Sequence, residues 1–224
     1  MRRITLLLVD DHNVIRQGLR ALLRFEPNFE IVGEAASGRE AVALAQRLSP
    51  NVIVMDLAMP LLNGMEATRQ IIRAWPRTKI VVLSAYDDAK YVEPVIAAGA
   101  AAYLRKDAAA NELIAAVREV VSGKAYFSPE ISRLRQKHAS EGDHQRKEPL
   151  EVKLSFREAE VLQLIAEGFG NKQIASELNI TVKTAQNYRR SIMVKLNVHS
   201  VVGLVHYAVR TGIIEMHPTR SILN

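Results

Sequence analysis

Two adjacent carboxylates, Asp10 and Asp11, close an apolar run in ITLLLVDDHNV, and a third, Asp56, closes another in NVIVMD. The run KIVVLS ends on the hydroxyl of Ser84, and AAYLRKD carries the ammonium of Lys106. A set of carboxylates with no imidazole or thiolate in it favours a hard cation, Mg²⁺ with Mn²⁺ as the alternative, which takes oxygen ligands and keeps waters. Such a cation offsets the repulsion between acids drawn toward a low-dielectric interior. It also leaves one carboxylate able to attack phosphorus, since Asp serves as nucleophile in aspartyl-phosphate chemistry. Lys106 and Ser84 then supply a positive charge and a hydroxyl donor for the phosphoryl oxygens. A local alternative is that Asp10 or Asp11 sits in a turn and caps a helix beginning near Val14. That accounts for one residue and not for the set.

The elements that must position these groups alternate in type. Short β-type runs at 4–9, 30–35, 52–55, 80–83 and 101–104 are separated by amphipathic stretches at 14–24, 39–48, 65–74, 89–98 and 111–122. Alternation of this kind predicts an α/β, doubly wound, five-stranded parallel sheet covered by helices on both faces. Ligands of such sheets bind beyond the carboxyl ends of the strands, where Asp10, Asp11, Asp56, Ser84 and Lys106 all fall. One helix is expected to depart from regularity. Pro94 lies inside 88–98, and an interior proline costs about 3 kcal/mol. The expectation is a kinked or late-starting helix with 87–92 as a loose turn and Pro94 near its first turn.

Composition narrows the class. The 224 residues are 48% hydrophobic and 24% charged, as in globular chains with real cores. No window of about 18 uncharged apolar residues occurs, so no membrane span is expected. The apolar run after MRR is too short for a signal peptide and ends in acid. Zero cysteines exclude disulfides, thiolate zinc sites and cysteine nucleophiles, and fit a cytoplasmic location. The net charge of +6 suits a polyanionic partner.

Residues 128–152 are polar and charged with both signs, and read as a linker between a domain at 1–127 and one at 153–224. The second domain has helical period throughout. Ser155 and Glu158 form a capping box, and three more helices are expected at 172–178, 182–196 and 201–210. Only Asn179, Ile180 and Thr181 separate the second from the third, a helix-turn-helix connection with Thr181 placed to cap the longer helix. This predicts a separate all-α, four-helix helix-turn-helix domain. In the longer helix Val182, Ala185, Ile192 and Leu196 share one face. Lys183, Gln186, Asn187 and Arg190 share the other, with Thr184 beside them. Amide and guanidinium groups suit base edges and phosphates of double-stranded DNA, and a second helix of this motif enters the major groove. A solvated surface is the alternative. The last helix is apolar nearly all round. Val202, Val205 and Val209 are either core or a dimerisation face.

The segments VDDH, VMDLAMPLLNG, VVLSAYDD and AAYLRKD resemble the receiver domain of two-component response regulators over nearly all of residues 4–122. LSFREAEVLQLIAEGFGNKQIASEL, followed by VKT and IMVKL, resembles the LuxR-type helix-turn-helix domain, and the whole chain resembles NarL/FixJ-type response regulators. The resemblance implies that Asp56 is the phosphoacceptor and that Asp10 and Asp11 hold the metal with Asp56 and the backbone carbonyl of Ala58. It implies that Ser84 and Lys106 grip the phosphoryl group and that Tyr103 is the aromatic switch. Pro60 and Gly64 occupy the family's usual places. Phe156 and Tyr188 depart from the pattern, where proline and histidine are common.

The expected function is a response regulator that takes a phosphoryl group on Asp56 from a sensor histidine kinase. As a phosphorylation-promoted homodimer it binds DNA to regulate transcription, with RNA polymerase as a further partner and no membrane. No enzymatic activity is expected beyond gain and loss of phosphate on its own Asp56. Two alternatives differ in class. An aspartate-nucleophile phosphatase puts a D-x-D signature on its first strand, which VDDHNV lacks. A ligand-sensing regulator with the same reader lacks the acidic cluster.

Overall fold

Burial on both faces explains why the strands read as unbroken apolar runs rather than alternations. The computed structural model describes residues 3–85, 89–108, 110–129, 131–133 and 154–214, in two compact units, Met1–Glu151 and Val152–Asn224. The first unit runs β1 (Ile4–Val9), α1 (Asn13–Leu23), β2 (Phe29–Ala35), α2 (Gly38–Leu48), β3 (Val52–Met55), α3 (Gly64–Ala74), β4 (Lys79–Ser84), α4 (Ala89–Ala97), β5 (Ala102–Arg105), α5 (Ala110–Val121) and β6 (Tyr126–Phe127). Every pairing is parallel, in the order β2-β1-β3-β4-β5-β6.

Successive strand residues point to opposite faces. Leu6 and Leu8 pack with Leu19 and Leu23 of α1 and with Leu113 and Val117 of α5. Leu7 and Val9 pack with Ala41 and Ala45 of α2, Ala67 and Ile71 of α3, and Val92 and Val95 of α4. The sheet is therefore doubly wound. Among the described residues it has six strands where the sequence predicts five. The extra strand holds two residues, paired Ala102↔Tyr126 and Tyr103↔Phe127, and is too short to show a period. Ser128 and Ile131, at the head of the expected linker, are buried, and Ile131 joins the core cluster of Tyr103. The first unit thus extends past Phe127. The rest of the expected linker lies outside the described residues.

The helix α4 corrects the expectation for Pro94. It starts at Ala89, so Pro94 sits within it rather than in its first turn. The expected loose turn at 87–92 is helical from residue 89, and residues 86–88 lie outside the described residues. Val92 and Val95 are fully buried on this helix. Burying two valines is worth about 3–6 kcal/mol, enough to offset the cost of about 3 kcal/mol for the proline.

The second unit holds α6 (Phe156–Ala166), α7 (Asn171–Glu177), α8 (Val182–Lys195) and α9 (Val201–Arg210). The capping box at Ser155 and Glu158 is formed, and Thr181 caps α8 by accepting from the Thr184 amide. Asn179 takes a left-handed φ of 51°, which turns the chain between α7 and α8. Leu162, Ile174, Ala185, Ile192, Leu204 and Ala208 are buried. Val182, expected on the inner face, remains 39% exposed because it is the first residue of α8, one turn before Ala185.

Candidate functional site

With this strand order the chain changes direction between β1 and β3, the place where open α/β sheets bind their ligands. Asp10 follows β1, Asp56 follows β3, Ser84 ends β4 and Lys106 follows β5. The last rungs of the ladder fix them. The Asp56 amide donates to Val9 O at 2.8 Å, and the Lys106 amide donates to Ser84 O at 2.8 Å. Asp10, Asp56, Ser84 and Tyr103 are all buried. Lys106 Nζ lies 2.7 Å from Asp10 Oδ2 and 2.8 Å from Asp56 Oδ2, bridging the two acids. Gly64 is required behind this site, since a Cβ there would stand 1.8 Å from Asp56 O.

Burial pushes the Asp56 carboxyl up to about 6, against the charge and hydrogen bond of Lys106 and the amide of Ala58, which lower it. The ionised form, which is the nucleophilic one, is favoured at pH 7 by the Lys106 cation beside it. Burial works to lower the Lys106 ammonium, but Asp56 and Asp10 outweigh it and hold it above the ordinary lysine value. A buried carboxylate, a second beside it and a fixed cation give a nucleophile and an oxyanion partner in one place.

The capping alternative for Asp10 and Asp11 fails. The N-cap of α1 is His12, without a side-chain cap bond. Asp10 Oδ1 instead accepts from the His12 amide at 2.8 Å. Ligand atoms of Asp10, Asp11, His12 and Asp56 all lie within 4.8 Å of one another, a cluster that could hold a metal ion. Asp11 Oδ1 is shielded from solvent and lies 2.8 Å from the His12 ring nitrogen, and with the Asp10 and Asp56 oxygens it makes a mainly carboxylate donor set of the kind a hard divalent cation takes. Sequence reasoning misses His12. Its position beside Asp11 is the available signal, but adjacency alone does not say that a ring turns back over the acids.

In the second unit Lys183, Gln186, Asn187 and Arg190 are exposed together on α8. Thr184 is half-buried, and its hydroxyl lies 2.8 Å from that of Thr181. Buried Glu158 holds α8 against α6, accepting from Ser155 N at 2.8 Å, Ser191 Oγ at 2.8 Å and Lys195 Nζ at 2.7 Å. On α9, Val202 is 63% exposed and Val205 and Val209 are half-buried, while Leu204 and Ala208 face the core. Among the described residues no helix is long and apolar enough to cross a membrane.

A buried acidic cluster at the β1/β3 switch of a doubly wound sheet, joined to a helix-turn-helix unit, defines a receiver coupled to a DNA-binding module. Residues 6–118 match the response regulator receiver domain, and residues 152–208 match the bacterial regulatory proteins of the luxR family. The transcriptional regulatory protein LiaR of Bacillus subtilis (strain 168) is 41% identical over 216 residues, covering 94% of this chain and 99% of LiaR. The transcriptional regulatory protein DegU of Brevibacillus brevis is 37% identical over 224 residues, covering 94% of each. A solved complex of the two-component response regulator RcsB with DNA superposes with a TM-score of 0.58 at 27% identity, covering 93% of this chain and 99% of RcsB. The chain belongs to the NarL/FixJ-type two-component response regulators.

Proposed function

We propose that residues 1–127, extended by the buried segment through Ile131, receive a phosphoryl group on Asp56, that 128–152 link the units, and that 153–224 read DNA. The ionised Asp56 oxygen forms the new O–P bond as the P–N bond of a sensor kinase's phosphohistidine breaks, its electron pair leaving on the histidine nitrogen. Lys106 shifts its ion pair from the Asp56 carboxylate to the incoming phosphoryl oxygens, and the Ser84 hydroxyl donates to another. Asp10, Asp11, Asp56 and the Ala58 carbonyl hold Mg²⁺, or Mn²⁺ in its place. When bound, that ion neutralises the charge gathered by the acids and the phosphoryl group. No other substrate is turned over; the chemistry is confined to Asp56 itself.

Phosphorylation adds about −1.5 to −2 charges and acts by stabilising one of two receiver states, with Tyr103 as the aromatic switch. A hundredfold preference corresponds to about 2.7 kcal/mol. The active state pairs two copies through Val202, Val205 and Val209, so that two α8 helices meet two half-sites of double-stranded DNA. Gln186, Asn187 and Arg190 read bases, and Lys183 and Thr184 hold phosphates. RNA polymerase is a further partner, and such a target places the protein in the cytoplasm. The relatives' names as transcriptional regulators and the RcsB–DNA complex support this reading. The carrying observation is Lys106 Nζ bridging Asp10 and Asp56 at 2.7 and 2.8 Å. Incubation with a small labelled acyl phosphate and Mg²⁺ tests it. The wild type takes up one phosphoryl group, Asp56→Asn takes up none, and stoichiometric labelling of that variant refutes the assignment.

A further inference from the structure

We propose that Arg16 is a positioning residue for the metal-binding acids: its guanidinium pins the Asp10 carbonyl and so aims the Asp11 carboxylate. The inference rests on the reading of the acidic cluster as a metal site and concerns what holds that cluster's backbone. Arg16 stands in the first turn of α1, six residues after Asp10. Its Nη1 donates to Asp10 O at 2.7 Å, and its Nη2 donates to Asn13 Oδ1 at 3.3 Å. Its Nε lies 3.5 Å from Glu34 Oε2 on β2. The other Glu34 oxygen, Oε1, accepts from Arg20 Nη1 at 2.6 Å. One side chain, 15% exposed, thus ties the end of β1 to α1 and β2.

The two acids are held differently. Asp10 has anchors of its own: Oδ2 meets Lys106 Nζ at 2.7 Å, and Oδ1 accepts from the His12 amide at 2.8 Å. Asp11 meets the ring of His12, whose side chain is 67% exposed and makes no cap bond to α1. Its direction is therefore set by the peptide that joins it to Asp10. That peptide is planar, so the Asp10 carbonyl, the Asp11 amide and both Cα atoms turn as one unit. Fixing the carbonyl oxygen fixes the unit, and with it the line along which Asp11 leaves the backbone. A charge-assisted bond of 2.7 Å from a shielded guanidinium is a firm anchor for this purpose. Glu34 and Arg20 hold the guanidinium from the β2 side. Lysine does not substitute, because a single hydrated ammonium lacks the planar fork that faces Asp10 O, Asn13 and Glu34 together.

Charge and geometry predict opposite signs. A guanidinium near Asp10, Asp11 and Asp56 repels a bound cation, so deleting its charge alone would tighten Mg²⁺ binding. Freeing the pinned peptide weakens binding, since the ion must then order the acids itself. The test uses the full unphosphorylated chain and its variants Arg16→Gln and Arg16→Lys. Calorimetric titration with MgCl₂ reads affinity. Uptake from a labelled acyl phosphate at graded Mg²⁺ separates the half-saturating concentration from the maximal rate. Near-ultraviolet circular dichroism establishes that each variant is packed, and where only one is, that one is read. Both variants should bind Mg²⁺ about tenfold or more weakly, with half-saturation raised in step. Maximal rate should stay within about twofold, because Asp56 and Lys106 keep their own anchors. Wild-type or tighter Mg²⁺ affinity in Arg16→Gln, full recovery in Arg16→Lys, or a fall in maximal rate at unchanged half-saturation overturns the proposal. So does loss of packing in both variants, which makes Arg16 a staple of the fold. If the wild type itself binds no Mg²⁺, the metal reading falls, and the Arg16 proposal with it.

Discussion

Replacing Glu158 by Gln removes one charge from the joint that seats α8 against α6. Glu158 is 4% exposed and its carboxyl is drawn from 4.5 down to about 2. Burial alone would raise it; hydrogen bonds from Lys195, from Ser155 and from Ser191 outweigh that. A shift of this size corresponds to about 3 kcal/mol at most. Lys195 is 41% exposed, so water screens the pair, and a net loss of about 1–2 kcal/mol is expected for Glu158→Gln at pH 7. The sign follows from the depressed folded-state value. Stability from Glu158 is fully present above about 4.5 and is lost as pH falls through about 2. The gap between wild type and variant should therefore be flat from pH 8 to 5, narrow below pH 4.5, and close near pH 2. Urea titration of the full chain, followed at the methyl signals of Ile165 and Ile192, reports on the second unit by itself. A gap below about 0.3 kcal/mol at pH 7, or one that stays constant down to pH 2, refutes the argument.

Other perturbations separate the remaining claims. Gly64→Ala forces Asp56 O away from a Cβ at 1.8 Å, so it should cost at least about 1–3 kcal/mol and slow phosphoryl uptake; a wild-type rate of labelling counts against the close approach. Gly18→Ala fills open space on exposed α1, where a Cβ meets nothing within 4 Å, and should stabilise the first unit by about 0.5–1 kcal/mol in thermal unfolding. On operator DNA, Gln186→Ala should lose about 1–3 kcal/mol and relax one base position, whereas Lys183→Ala should weaken all sequences alike and flatten the salt slope by about one. Identical behaviour of those two variants on scrambled DNA defeats the division of roles.

Much of the candidate site is legible in the strand-end residues. Asp10, Asp56, Ser84 and Lys106 each end or follow an apolar run, and parallel strands must present such residues on one edge. The capping box at Ser155, the Thr181 cap and the polar stripe of α8 are equally legible, because they depend on spacings within a single element. The correction to α4 has a different origin. Proline propensity argues for a late start, and the burial of Val92 and Val95 overrides it, a balance that no local window contains.

The chain's own order of residues determined the alternating elements, the acidic edge and the helix-turn-helix, since periodicity and end chemistry are carried by neighbours along the backbone. Tertiary structure alone decided that Lys106 spans Asp10 and Asp56, that His12 turns its ring over the acids, and that Glu158 reaches Lys195 across 37 positions. It also decided that Tyr126–Phe127 adds a sixth strand and that Ile131 belongs to the core. Each of these depends on groups that meet through space. Their energies are set by distance and by the exclusion of water, and neither exists until the sheet and helices have packed.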